Sequence, residues 1–277
     1  MSRCGSFMSD CFFLTLTTNP SLSAIYYALL QCGYEYHLPE REALERFRGG
    51  DVPVFFRGVK QNTCEVYPYW PRAALLESAL FYLTPDHREW ADFPAFRARV
   101  MNAPNLTPEE RNDDLWQWIR EFPSALQEVL ASPAFREYLA WEITWLEAQK
   151  ALHAHSLNAL GDLLAECNAR YGGRVKRVQL WLNPIKCVNS ADYHIHGDTL
   201  FYCSGTLKAE SILHEFLHPI VHPLMAERED LPADPALDPS YTADPRYAAE
   251  ETAVRRLTSA ILKGEFPEDL PTFLSSL

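Results

Sequence analysis

The chain has 277 residues, 47% hydrophobic and 22% charged, which is the balance of a globular protein with room for a sizeable core and not of a disordered chain. Its 25 Lys and Arg are outweighed by 37 Asp and Glu, for a formal charge of −12. That charge argues against a protein that grips nucleic-acid phosphates or an anionic membrane surface, since both need clustered cations. Only 11 residues are glycine, and neither G-x-G-x-x-G nor G-x-x-x-x-G-K occurs, which disfavours a phosphate-cradling loop.

In chain order, the apolar run Cys11–Leu16 comes first. It is too short for a signal-peptide core, and no stretch approaches the ~18 apolar residues of a membrane span. Helices are expected next, from Pro20 to a stop at Gly33, from Pro39 to Phe47, and over Arg72–Leu83. Thr107-Pro108-Glu109-Glu110 has the form of a helix start, and Leu115, Trp118 and Ile119 make an i, i+3, i+4 stripe behind it. Pro133 opens a long helix that reaches towards Arg170, with Phe135, Tyr138, Trp141 and Trp145 as core residues.

The pattern changes at Tyr171-Gly172-Gly173. Arg174–Leu182 alternates like a strand, and Thr199–Cys203 reads as a second strand. Helices follow from about Thr206 and over Pro245–Lys263. The expected fold class is therefore α+β, with a mainly helical region over 1–145 packed on a region over 146–277 that holds a small sheet and two helices. The seven cysteines (Cys4, Cys11, Cys32, Cys64, Cys167, Cys187 and Cys203) are scattered, odd in number and free of C-x-x-C. They read as mostly buried free thiols in a reducing compartment, which points to a cytoplasmic protein with no membrane partner.

One motif carries chemistry. Ser211-Ile-Leu-His214-Glu215-Phe-Leu-His218-Pro219 contains H-E-x-x-H. On a helix His214 and His218 stand one turn apart on one side, so both imidazoles can reach one metal ion, and Glu215 can act as general base on a water beside it. The stripe Leu213, Phe216, Leu217 and Ile220 is the core face, and the histidines flank it. Pro219 cannot donate to the carbonyl of Glu215, so the helix is expected to kink or end near His218.

A catalytic zinc site takes three protein ligands and keeps one position open. His222 does not complete it, because three histidines over two turns span about 12 Å, too far for one ion with bonds of ~2.1 Å. The longer pattern with a third His also fails, since Val221 and Leu224 occupy the places of its Gly and last His. A carboxylate on the next helix remains. Glu250 and Glu251 flank opposite sides of its apolar stripe of Tyr247, Val254, Leu257 and Ile261, and periodicity does not choose between them.

His214-Glu-Phe-Leu-His218-Pro219-Ile-Val, followed by Glu251-Thr-Ala-Val-Arg255, resembles the gluzincins, zinc peptidases with a His-Glu-x-x-His helix and a downstream Glu ligand. It is similar, more narrowly, to an uncharacterised group of predicted bacterial zinc peptidases with a His-Glu-Phe-x-His-Pro core and a later Glu-x-x-x-Arg helix. The stretch from Asn19-Pro20 to Tyr34-Glu35-Tyr36 is similar to that group's opening helix. The resemblance implies a zincin-like fold for the second region, Zn2+ held by His214, His218 and Glu251, and Glu215 as base. Glu251 is favoured over Glu250 because Arg255 stands four residues after it. The better-known gluzincins have Asn before the ligand Glu, and here Glu250 stands there.

The implied activity is hydrolysis of peptide bonds in a peptide or protein substrate, with the metal polarising the scissile carbonyl and Glu215 moving the proton to the leaving amine. Tyr241, in the Pro-rich segment between the two helices, is the favoured oxyanion donor over Tyr247, His222, His194 and His196. His194 and His196 read as the tip of a solvated hairpin ahead of a second metal site. The strand Thr199–Cys203 is expected at the cleft edge, where it would pair with an extended peptide. The rival reading is an inactive scaffold of this kind that binds partners through its helical half.

Overall fold

A computed structural model of the chain describes residues 12–34, 38–59, 73–102, 113–188, 191–225, 228, 233–235, 237 and 245–277. The fold is mixed α+β. Its elements are β1 (Phe13–Thr17), α1 (Pro20–Gln31), α2 (Arg41–Leu44), α3 (Ala73–Ala79), α4 (Phe93–Met101), α5 (Asp113–Ile119), α6 (Phe122–Ala131), α7 (Pro133–Arg170), β2 (Arg177–Leu182), β3 (Asp192–His196), β4 (Thr199–Ser204), α8 (Ala209–Met225), α9 (Pro245–Leu262) and α10 (Leu270–Ser275). Tight single turns extend α2 over Glu45–Phe47 and α3 over Leu80–Tyr82, so the helices expected over Pro39–Phe47 and Arg72–Leu83 are each a short α-helix closed by such a turn.

Local chemistry explains the helix starts. Asn19 accepts from the backbone N–H groups of Ser21 and Leu22 at 3.1 Å each, and Pro20 fits the first turn, where no N–H is needed. Ser132 and Pro133 do the same for α7, which at 38 residues is about 57 Å long. The start expected at Thr107–Glu110 lies outside the described residues, but the stripe behind it is helical as α5.

The sheet has the order β1-β2-β4-β3, with β1 and β4 parallel to β2 and β3 antiparallel to β4. Alternation gives it two apolar faces. Val178, Leu180, Leu182, Leu200 and Tyr202 pack with Phe216, Leu217, Val254 and Leu257 of α8 and α9. Trp181 and Cys203 pack on the other face with the cluster built from α1, α3, α5 and α6. α7 serves both, through Phe135 and Tyr138 in one core and Leu146, Leu160 and Leu164 in the other.

Three expectations change. The first region contributes a strand, since β1 pairs with β2 along Phe13↔Arg177 to Thr17↔Trp181. Thr199–Cys203 lies in β4, an interior strand, because the turn at Gly197, with φ of +63°, folds β3 back along it. The strand at that edge of the described sheet is therefore β3, with β1 at the opposite edge. And α8 neither ends nor breaks at His218: it runs through Pro219 and Pro223 to Met225. Ile220, Val221 and Met225 beyond the first proline are all buried, and that packing outweighs the hydrogen bonds the prolines cannot make.

Cys32, Cys167 and Cys203 are free, as expected, whereas Cys187 is disulfide-bonded, so the free-thiol reading fails at that position. Cys4, Cys11 and Cys64 lie outside the described residues. No helix among the described residues is long and apolar enough to cross a membrane.

Candidate metal centre

The site sits where α8 crosses α9. The apolar faces of the two helices pack on each other and on the sheet, which turns the polar flank of each towards the other. His214 and His218 come from α8, and Glu250 and Glu251 come from α9, both buried. The Nε2 atoms of the two histidines are 3.2 Å apart. Glu251 brings Oε1 to 3.2 Å from His214 Nε2 and Oε2 to 3.4 Å from His218 Nε2. These three residues form a group able to hold one metal ion. Ligand atoms bonded to one tetrahedral zinc at ~2.1 Å lie about 3.4 Å from each other, so the spacing fits that coordination.

The surroundings hold these side chains in place. Arg255 donates from Nε to Glu251 Oε1 at 3.0 Å, one turn further along α9. Glu250 spans two histidines, with Oε1 at 2.9 Å from His218 Nδ1 and Oε2 at 2.7 Å from His222 Nδ1. A carboxylate on the far nitrogen of a histidine fixes its ring and leaves Nε2 free to bind a metal. The alternatives left by periodicity thus separate by geometry: Glu251 faces both Nε2 atoms, and Glu250 faces the back of His218. Neither is a solvated surface acid. His222 is largely exposed and touches Glu250 instead of the other two histidines.

Charge is concentrated here. Burial alone would push His218 down, but its hydrogen bonds to Glu250 and Glu251 override that and raise it to about 10. Burial would push Glu251 up, yet His214 and His218 hold it well below the usual carboxylate range. Glu215 is raised, chiefly by burial, with His218 and His214 pulling the other way and Glu251 and Asp192 adding to the rise. A carboxylate raised by a low-dielectric setting is a better proton acceptor than a free one.

Tyr193 was not singled out by the sequence. It projects from β3, and its ring lies nearly parallel to that of His218, with centroids 5.5 Å apart. Burial pushes its hydroxyl well above the usual range, with Glu250 and Glu215 adding to the rise. The signal available was the alternation of Asp192–His196 ahead of Gly197, which sets Tyr193 and Ile195 on one face and the histidines on the other. Tyr241 lies outside the described residues.

His194 and His196 part company. His196 is exposed and stacks on Phe81, with centroids 5.6 Å apart. His194 is buried against Glu77, and Glu77, His194 and Cys203 form a second group of metal-ligating types. The Lys186 ammonium already sits 2.8 Å from Glu77 Oε1, so a cation there would meet a positive charge in place of a free carboxylate. Compared with known proteins, the chain matches no family model, no curated protein and no solved structure.

Proposed function

We propose that this protein is a zinc-dependent peptidase of the zincin type, with Zn2+ held by His214, His218 and Glu251. The observation that carries this reading is the convergence of three metal-binding atoms at tetrahedral spacing, between two helices whose other polar side chains, Glu250 and Arg255, brace them. Bound there, zinc supplies Lewis acidity towards a scissile carbonyl and makes water a nucleophile at neutral pH.

The chain's own residues do the rest. Glu215, one position from His214 on the same helix, accepts the proton of the attacking water and hands it to the leaving amine. The substrate lies along β3, whose outer edge has no strand beside it in the described sheet and presents backbone groups to an extended peptide. Tyr241 donates to the oxyanion.

The test separates binding from chemistry. Wild-type protein should cleave members of a mixed peptide library, and Glu215→Gln should keep its zinc while turnover falls by about 10²-fold or more. A Glu215→Gln variant as active as wild type removes Glu215 as base. A wild type that takes up no transition metal, with His214→Ala changing nothing, favours the binding scaffold instead.

A further inference from the structure

Among the described residues, a buried polar assembly outside the candidate metal centre is centred on Lys186, in the β2–β3 connection. Lys186 is 1% exposed and uses all three ammonium donors: to Tyr26 Oη of α1 at 2.9 Å, Glu77 Oε1 of α3 at 2.8 Å and Asp192 Oδ2 of β3 at 2.5 Å. Tyr26 also donates to Glu77 Oε1, and Glu77 Oε2 meets His194 Nε2 at 2.9 Å. Burial would raise Glu77, but Lys186 and His194 hold it well below the usual range, so the carboxylate is charged.

Two of these partners, Asp192 and His194, alternate on β3 with Tyr193 and Ile195. One face of this strand is therefore bound to the helical core, while the other lies over His218. β3 is five residues long and pairs only with β4 in the described sheet. A slip by one residue would turn Tyr193 away from His218 and bury Asp192 and His194 against α8. A buried ion pair contributes little net stability compared with apolar packing, and its best-attested use is to set register.

We propose that Glu77, Lys186 and His194 are positioning residues for substrate, which lock the register of the edge strand that receives the peptide. This rests on the peptidase reading above. The lock acts on binding of an extended chain and not on the metal ligands, which all lie on α8 and α9.

The experiment uses the full chain loaded with zinc and compares wild type with His194→Gln and Glu77→Gln. On a long peptide that wild type cleaves, each variant should show KM raised about tenfold, kcat within about twofold and unchanged zinc content. Amide hydrogen exchange over Asp192–His196 should speed up at least tenfold while exchange in α8 is unchanged. His194→Gln carries the test if Glu77→Gln fails to fold, because it removes one contact and leaves the Lys186–Glu77 pair intact. Variants that melt lower but keep the wild-type KM and β3 exchange overturn the proposal. A wild type that holds zinc without cleaving any peptide overturns the peptidase reading, and β3 exchange then still reports whether the lock exists.

Discussion

His218 is the residue on which the site's chemistry turns, because it has a carboxylate at each ring nitrogen. Glu250 meets Nδ1 and Glu251 meets Nε2, so an imidazolium satisfies both and keeps its proton to about pH 10. At the proposed zinc site, metal and that proton would compete for Nε2. Zinc uptake at pH 7.5 should therefore release about one proton from His218, and affinity should climb as the pH rises towards 10. Calorimetry in buffers of different ionisation enthalpy checks this, and uptake with no proton release contradicts it. Glu250→Ala should weaken zinc binding by about 10–100-fold while leaving a saturable site, since it removes only the brace on Nδ1. An affinity equal to wild type would leave Glu250 without that role. Much of this centre was legible. The four-residue spacing of His214 and His218 put both on one flank, and it was the resemblance to a Glu-x-x-x-Arg helix, with Arg255 one turn on, that favoured Glu251. What periodicity did not resolve was whether Glu250 or Glu251 faces the Nε2 atoms, because a helix wheel carries no information about how α9 is rotated against α8. Tyr193 was hidden for a related reason: a tyrosine in a short alternating run carries no mark of the helix it will cover.

At the scale of elements, α7 shows a long-range consequence of one buried acid. Glu142 is 1% exposed, accepts from Ser23 Oγ of α1 at 2.7 Å and lies 3.4 Å from Asn183 Nδ2 just after β2. Burial raises its carboxyl to about 7, with Ser23, Tyr138 and Asn183 pulling it down in part. The folded chain then holds this proton up to about pH 7, whereas the unfolded chain releases it near 4.5. The folded state binds more protons in that window, so this group costs stability as the pH rises through it, by about 3 kcal/mol in all. Glu142→Gln keeps the size and loses the titration. It should melt higher than wild type at pH 8 and no higher at pH 4.5, and parallel melting curves at both would contradict the assignment. The helices themselves followed from caps and periodicity: α1, α7 and α9 lie within a residue or two of where the sequence put them. α8 departed because Pro219 and Pro223 signal a stop locally, whereas Ile220, Val221 and Met225 are held by the core. The strands departed more. β1 and β3 are short, and each owes its existence to a partner: β1 to β2, about 160 residues away, and β3 to β4 and the Lys186 cluster.

The whole molecule is layered, with the helical cluster on one face of the four-stranded sheet and α8–α9 on the other. Composition pointed to a globular acidic chain and the order of helix-like and strand-like segments to the α+β class, but not to this layering, because the alternation in Arg174–Leu182 marks one buried side and carries no mark that the other is covered too. β2 illustrates it: Val178, Leu180 and Leu182 face the α8–α9 core while Trp181 faces the helices. The arrangement gives the two faces of β3 different neighbours, one held by Lys186 and Glu77 and the other laid over His218 of the candidate metal centre. The acidic charge is likewise unevenly committed: Glu77, Glu142, Glu250 and Glu251 are buried, each in a defined polar contact, and the first and the last two are held charged by lysine or histidine. The account depends above all on His214, His218 and Glu251 forming one ion site. Its most direct test is the metal content of the purified chain after exposure to zinc and exhaustive dialysis. The account predicts about one zinc ion per chain in the wild type and its loss in Glu251→Ala. A wild type that retains no zinc, or a Glu251→Ala variant that retains it as well as wild type, would contradict it.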